Sequence, residues 1–280
     1  MSDIDALLRK ATSQLGIGDL APLTRGGQKF VYRCRLGTRP AILKLIVLQP
    51  PFHENMLERA RREVKLLASI DNDHIVKALT ELHVLGDLPA APEGACWLEE
   101  ELDGTDLSQL LGGPWSWDEV HRMLVDLALG LECLHEKEVV HRDLSPGNVR
   151  QTADGHWVVM DPGLARHLAK TSITGMYQPG TPGYRTPEHV PDGEPTPASD
   201  VFGLGILAYQ ALTATLPVLP GGDESEYHRR LREEQAPPAA LARPDLSAEQ
   251  AALVDRMLQR QPARRYLDAT ELLQALAELQ

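Results

Sequence analysis

The apolar residues of this chain turn to predominantly helical spacing near residue 103, and that change limits the fold more than any other feature. Between Leu23 and Glu100 they fall in short β-rich runs. The first two are Phe30-Val31-Tyr32 and Ala41-Ile42-Leu43-Lys44-Leu45-Ile46-Val47, separated by the Gly37-Thr38-Arg39-Pro40 turn. Runs of this length broken by Gly and Pro predict paired antiparallel strands. Pro50-Pro51 ends them, Glu54–Ser69 reads as a helix, and further strands are expected around Val76–Leu85 and over Cys96–Glu100, with a loop at Leu88–Gly94 between them. From Asp103 onward the spacing is helical, over Trp117–Lys137, Ser199–Leu212, Ser247–Gln259 and Asp268–Leu279, the third opening on the capping pair Ser247 and Gln250. Ile4, Leu7, Leu8, Ala11 and Leu15 mark one more amphipathic helix at the start. Strands first and helices afterwards predict an α+β chain of two unlike lobes, with the boundary at Leu102–Thr105. The expected organisation is a helical extension over 1–18, a strand-rich lobe over 19–102 and a helical lobe over 103–280.

Charge narrows the function classes. The 40 acidic residues outnumber the 28 basic ones, for a formal net charge of −12, which disfavours a general nucleic-acid or anionic-membrane binder. Any phosphate site must therefore be local. Cys34, Cys96 and Cys133 are far apart and form no C-x-x-C pair, so buried reduced thiols are expected rather than a disulfide framework or a zinc site. Asp3, Asp5, Arg9 and Lys10 interrupt the N-terminal stretch where a signal peptide needs apolar residues, which predicts a cytoplasmic protein. Val201–Leu219 is the most apolar stretch, but Gln210, Thr213, Thr215 and Pro217 break it, and a buried helix followed by a turn is expected there, not a membrane span.

The chemistry concentrates in His141-Arg142-Asp143-Leu144-Ser145-Pro146-Gly147-Asn148, followed by Asp161-Pro162-Gly163 after the strand-like Trp157–Met160. Here the chain resembles the eukaryotic-like Ser/Thr protein kinases, whose catalytic loop reads H-R-D-L-x-x-x-N and whose metal loop is usually D-F-G. Lys44, Glu63, Thr186-Pro187-Glu188, Asp200 and the Pro262-x-x-Arg265 pattern stand in the family's order, so the resemblance covers nearly the whole chain. It implies the two-lobed protein kinase fold with a nucleotide in the cleft, ATP with Mg²⁺ (or Mn²⁺) as cofactors, and a protein substrate or regulatory partner.

Residue by residue, the resemblance implies the following roles. Lys44 would hold the α/β-phosphates and pair with Glu63, while Gly26, Gly27 and Val31 would form the phosphate loop. Adenine would meet the backbone of Glu100 and Leu102, and Asp106 would face the ribose. Asn148 and Asp161 would ligate the metal, a hard cation that takes oxygen donors. Asp143 would accept the proton of the incoming hydroxyl. His141 would be structural, and Arg142 would pair with a phosphate on the activation segment, where Thr171, Ser172 and Thr174 are the candidate phosphosites. Thr181 would bond toward Asp143, Glu188 and Arg265 would form a buried pair, and Asp200 would brace the catalytic loop. Phosphoryl transfer needs such a set because catalysis is mainly positioning and charge compensation.

Several residues depart from the family pattern. Thr24 and Lys29 occupy the outer glycine positions of the phosphate loop. Ser145 stands where a lysine usually meets the γ-phosphate, and Lys29 is the candidate to supply that cation. Pro162 replaces the usual Phe and fixes φ. Ile42 replaces a small residue against adenine, Glu99 occupies the usually apolar gatekeeper position, and Arg150, beneath the base, either stacks on it or points to solvent. The leading reading is therefore a Mg-ATP-dependent protein Ser/Thr kinase that also phosphorylates itself. The alternative is a pseudokinase or scaffold that binds nucleotide or a partner without efficient turnover. A small-molecule kinase of the aminoglycoside or choline type shares H-x-D-x-x-x-x-N but lacks the Thr186-Pro187-Glu188, Asp200 and Arg265 set.

Overall fold

The computed structural model describes residues 3–26, 29–48, 53–86, 92–162, 166–167, 181–189 and 194–279. The chain divides into two compact units, residues 1–71 with 75–103 and residues 72–74 with 104–280.

The first unit contains α1 (Asp3–Leu15), β1 (Ile17–Gly26), β2 (Lys29–Leu36), β3 (Arg39–Val47), α2 (His53–Ala68), β4 (His83–Leu85) and β5 (Gly94–Glu100). Its strands form one antiparallel five-stranded sheet in the order β1-β2-β3-β5-β4. Pro22 has no N–H for a ladder, and β1 tolerates it because β1 lies at the sheet's edge. Side chains alternate across β3, so Ala41, Leu43 and Leu45 line one face and Ile42, Lys44 and Ile46 the other. The first face is buried with Cys34, Cys96 and Leu98 against Leu7 and Ala11 of α1. On the second, Ile46, Ala95 and Trp97 pack against Leu57, Ala60 and Val64 of α2. A helix therefore covers each face, and burial pushes the Cys34 and Cys96 thiols up to about 11 and about 12. All three cysteines are free, with Cys133 half-buried.

The strand expected from Val76 is confined to His83–Leu85. Ahead of it Ala78 forms an isolated bridge to Glu99. Side chains have taken the ladder positions: Thr80 Oγ1 accepts from Leu98 N at 2.9 Å and Glu100 Oε1 accepts from Lys77 N at 2.8 Å.

The second unit contains β6 (Gly104–Asp106), α3 (Leu107–Leu110), α4 (Trp117–Glu136), β7 (Val139–Val140), β8 (Val149–Thr152), β9 (Trp157–Val159), β10 (Arg166–His167), α5 (Pro197–Thr213), α6 (Glu224–Glu233), α7 (Ala239–Ala242), α8 (Ala248–Met257) and α9 (Ala269–Ala277). α4 opens on a Ser116–Glu119 capping box and buries Val120, Leu124, Leu127, Leu131 and Leu134 along one stripe. α5 starts with Pro197 in its first turn and is buried on nearly every side, as a helix that is apolar all round must be. It packs against α4, α8 and α9. Among the described residues no helix is long and apolar enough to cross a membrane.

Leu7 and Ala11 make α1 part of the first unit's core rather than an appendage. Leu7→Ala should therefore destabilise that unit by about 2–5 kcal/mol, the range for truncating a buried leucine, measured as a lower urea midpoint with unchanged slope.

Candidate active site

In the second unit the residues of the His141–Asn148 loop are held from α5. Asp200 is 2% exposed. Its Oδ2 accepts from His141 N at 2.8 Å and from His135 Nε2 at 3.1 Å, and its Oδ1 accepts from Arg142 N at 3.0 Å. Burial alone would push this carboxyl up, but the hydrogen bond from His135, the nearby His135 and His141 rings and the Arg142 N–H outweigh it and hold it below its ordinary value. Arg142 sits at φ +74°. A non-glycine residue tolerates that conformation only where its surroundings impose it, and the Asp200 bond to its N–H does so here. His141 is fully buried; its Nδ1 accepts from Asp143 N at 3.3 Å, so Nε2 carries the proton and donates to Met160 O at 3.1 Å.

Asp143 thereby presents its carboxylate in a defined orientation. Oδ1 accepts from both the N–H and the Oγ1 of Thr181 at 3.1 Å, and Oδ2 accepts from Asn148 Nδ2 at 3.1 Å. That amide also donates to Asp143 O at 2.9 Å, which turns the Asn148 Oδ1 the other way. Asp161 lies at φ +54°. The proline after it disfavours the right-handed helical region, and aspartate accepts the left-handed one. Ser145 is buried and its carbonyl accepts from Asn148 N at 2.9 Å.

The Thr181–His189 segment is anchored at both ends. Arg265, 1% exposed, grips both oxygens of Glu188 at 2.7 and 3.1 Å and also donates to the carbonyls of Ala198, Gln259 and Arg260. Tyr227 accepts from Gly183 N at 3.1 Å, Tyr184 donates to Gln210 Oε1 at 2.7 Å, and Arg185 lies 3.0 Å from Glu224 and 3.1 Å from His228 Nε2. Burial first, and the Arg185 charge second, hold the His228 ring below its ordinary pKa. Tyr227 and His228 were not singled out from the sequence, and Gln210 was named only as a break in an apolar stretch. The cap Asp223, which accepts from Glu226 N, is the signal that could have located α6. Thr171, Ser172, Thr174 and Gly27 lie outside the described residues.

In the first unit the expected Lys44–Glu63 ion pair forms, and Lys44 has a second, closer partner. Lys44 Nζ is 2.9 Å from Glu99 Oε2 but 3.9 Å from Glu63 Oε1. Lys29 Nζ takes both oxygens of Glu63, at 2.8 and 2.9 Å. Glu99 Oε1 accepts from Trp97 Nε1 at 2.8 Å. Strand pairing explains the proximity: Val31 is the register partner of Lys44 on one side, and Trp97 on the other, which places Lys29, Lys44, Trp97 and Glu99 on one face of the sheet. Ile42 is directly opposite Glu99. Gly26 ends β1 as the partner of Lys29. Glu100 donates its N–H to Lys77 O at 3.0 Å, and Leu102 follows the end of β5.

Arg150 is held within the second unit. Its Nη1 donates to Asp106 Oδ1 at 2.7 Å and its Nη2 to Gly104 O at 2.7 Å, because Asp106 and Arg150 are register partners across β6 and β8. The carboxylate expected to face a ribose thus already has a cation. Gly104 has φ +155°, and a Cβ there would overlap the Gln151 carbonyl, so only glycine fits.

Removing the charge of Asp200 should cost about 3–5 kcal/mol at pH 7, the range for breaking a buried charged pair, seen as a lower urea midpoint for Asp200→Asn. A carboxylate whose folded pKa lies below its unfolded value near 3.8 stabilises while ionised and loses that contribution as pH falls through the folded value. The wild type should therefore lose stability steeply below about pH 4, and Asp200→Asn should show a flatter decline over the same range.

Comparison with known proteins agrees with this geometry. Residues 19–276 match the protein kinase domain family. The chain is 31% identical over 258 residues to a serine/threonine-protein kinase, drp72, of Corynebacterium efficiens, covering 90% of this chain and 48% of that protein. It is 32% identical over 243 residues to the serine/threonine-protein kinase PknA of Corynebacterium glutamicum, covering 82% and 49%. With the serine/threonine-protein kinase PknL of Mycobacterium bovis it shares 33% identity over 268 residues, covering 92% and 65%. The chain spans about half the length of the first two relatives. With the motifs in register, an antiparallel sheet unit followed by a helical unit, and a match over nearly its full length, this chain belongs to the protein kinase domain family, among relatives that are serine/threonine kinases.

Proposed function

We propose that the chain is a Mg-ATP-dependent serine/threonine kinase that transfers the γ-phosphate of ATP to a hydroxyl of a protein substrate. The observation that carries the reading is the carboxylate of Asp143, aimed by Thr181 on one oxygen and Asn148 on the other. In the reaction the substrate hydroxyl gives its proton to Asp143 while its oxygen forms the new bond to the γ-phosphorus. The bond from that phosphorus to the β,γ-bridging oxygen breaks, and ADP leaves with the electron pair. Thr181 and Asn148 keep the carboxylate in place during the transfer, and Asp200 keeps the loop in place beneath it.

The residues present fit a hard divalent cation. The Asn148 amide donates to Asp143 through nitrogen, so its oxygen is directed elsewhere, and Asp161 adds a carboxylate; Mg²⁺ accepts such a pair because it takes its remaining ligands from water and phosphate. Asn148 and Asp161 would hold the ion. When bound it offsets the charge of the phosphate oxygens. The Ser/Thr preference is supported by the run Gly180-Thr181-Pro182-Gly183-Tyr184-Arg185-Thr186-Pro187-Glu188, which resembles the G-T-x-x-Y-x-A-P-E of Ser/Thr kinases, and by the names of the relatives. We further place self-phosphorylation on Thr171, Ser172 or Thr174, with Arg142 as the receiving cation, and the protein in the cytoplasm, where ATP is supplied and thiols stay reduced.

Incorporation of label from γ-labelled ATP into a generic Ser/Thr substrate is the expected result. Asp143→Asn should lower kcat at least about 100-fold, the span of general-base catalysis, and Asp161→Ala should abolish transfer. Thr181→Val should lower kcat about tenfold, as the loss of one hydrogen bond to a charged group implies. No incorporation by the wild type, with nucleotide still bound, would replace the kinase reading by that of a binding scaffold.

A further inference from the structure

Lys29, Lys44 and Glu99 on the α2-facing side of the sheet meet Glu63 of α2, and the four are paired in an unexpected way. Lys44 has Glu99 at 2.9 Å, and Lys29 has both oxygens of Glu63 at 2.8 and 2.9 Å. Each carboxylate side chain is only 4% exposed, so each needs a cation to remain ionised there. Had Glu99 been apolar, Lys44 would have been the natural counter-ion of Glu63. With Glu99 present, Lys44 is claimed across the β3–β5 ladder, and Lys29 reaches Glu63 from β2.

Resting on the ATP-dependent reading above, we propose that the two lysines have exchanged roles: Lys44 is the buried counter-ion of Glu99, and Lys29, steered by Glu63, is the ammonium that engages the nucleotide's phosphates. Three observations carry this. Lys29 is the more accessible of the two, its side chain 19% exposed against 7% for Lys44. It stands at the glycine-containing end of the β1–β2 hairpin, as the register partner of Gly26, where a backbone can approach an anion closely. It also has an orienting carboxylate beneath it, so its position is set before an anion arrives. An ammonium held this way acts as a point charge for phosphate. The substitutions at positions 29 and 99 are then one linked change rather than two independent departures.

The test compares affinity for Mg-ATP with affinity for adenosine, since their ratio isolates the phosphate contribution from that of the base. Lys29→Met should reduce the ratio by at least about tenfold, equivalent to one charge-assisted contact, and Lys29→Arg should restore part of it. The paired variant Lys44→Met, Glu99→Met removes a cation together with its own counter-ion and should change the ratio by less than about threefold. The opposite order, or an unchanged ratio in Lys29→Met, overturns the exchange while leaving the kinase reading intact. If Lys29→Met proves unfolded by circular dichroism, the paired variant decides: a tenfold loss there overturns the proposal, and a retained ratio supports it. A folded wild-type chain that binds neither ligand overturns the ATP reading itself, and the exchange with it.

Discussion

The helical unit depends on one buried carboxylate. Asp200 sits within α5, the helix most completely enclosed by the others, and receives two consecutive backbone N–H groups and one histidine. Those bonds hold Arg142 in a left-handed conformation that the residue would otherwise avoid, and this sets the direction in which Asp143 leaves the backbone. The free energy that holds the catalytic loop in this shape is therefore drawn from the packing of α5. A site built this way is pre-organised: its geometry is fixed by burial elsewhere and needs no rearrangement when a reactant arrives.

The sheet unit depends instead on a balance of four charges between one face of the sheet and α2. Two lysines and two glutamates at the edge of an apolar cluster that includes Trp97 neutralise each other, and each carboxylate accepts at both oxygens, Glu63 from Lys29 and Glu99 from Lys44 and Trp97. The opposite face has no such requirement and is filled with Leu43, Leu45, Leu98 and the thiols of Cys34 and Cys96. One sheet thus separates a polar, functional side from a purely hydrophobic one, and the period-2 alternation of β3 keeps the two apart.

How much of this was legible in the sequence follows from the range of the interactions. Short-range signals served well: the Ser247–Gln250 cap and the helical spacing of α4 both act within a few residues. The loop around Asp143 was legible because its residues are contiguous. What depended on strand register was not. The pairing of Lys44 with Glu99, and of Asp106 with Arg150, is decided by which residues lie opposite one another across a ladder, and no local pattern reveals that. The loss of strand after Val76 has the same origin, since Thr80 and Glu100 side chains replace backbone acceptors at positions that only the folded neighbour defines. α6 escaped notice because its helical spacing has few apolar residues, Tyr227 and Leu231 being the main buried ones.

The family match begins at residue 19, yet α1 lies wholly before that point. Leu7 and Ala11 close over Cys34, Leu43 and Leu45 in the sheet's hydrophobic layer, and Gly94 lacks a side chain where one would meet Leu7. A fragment cut at the family boundary would thus keep every residue named for the chemistry and still bare an apolar sheet face to water. Such a fragment would be prone to self-association through that face, and recombinant work on relatives with an equivalent helix would do well to set the first residue by the hydrophobic layer rather than by the motif.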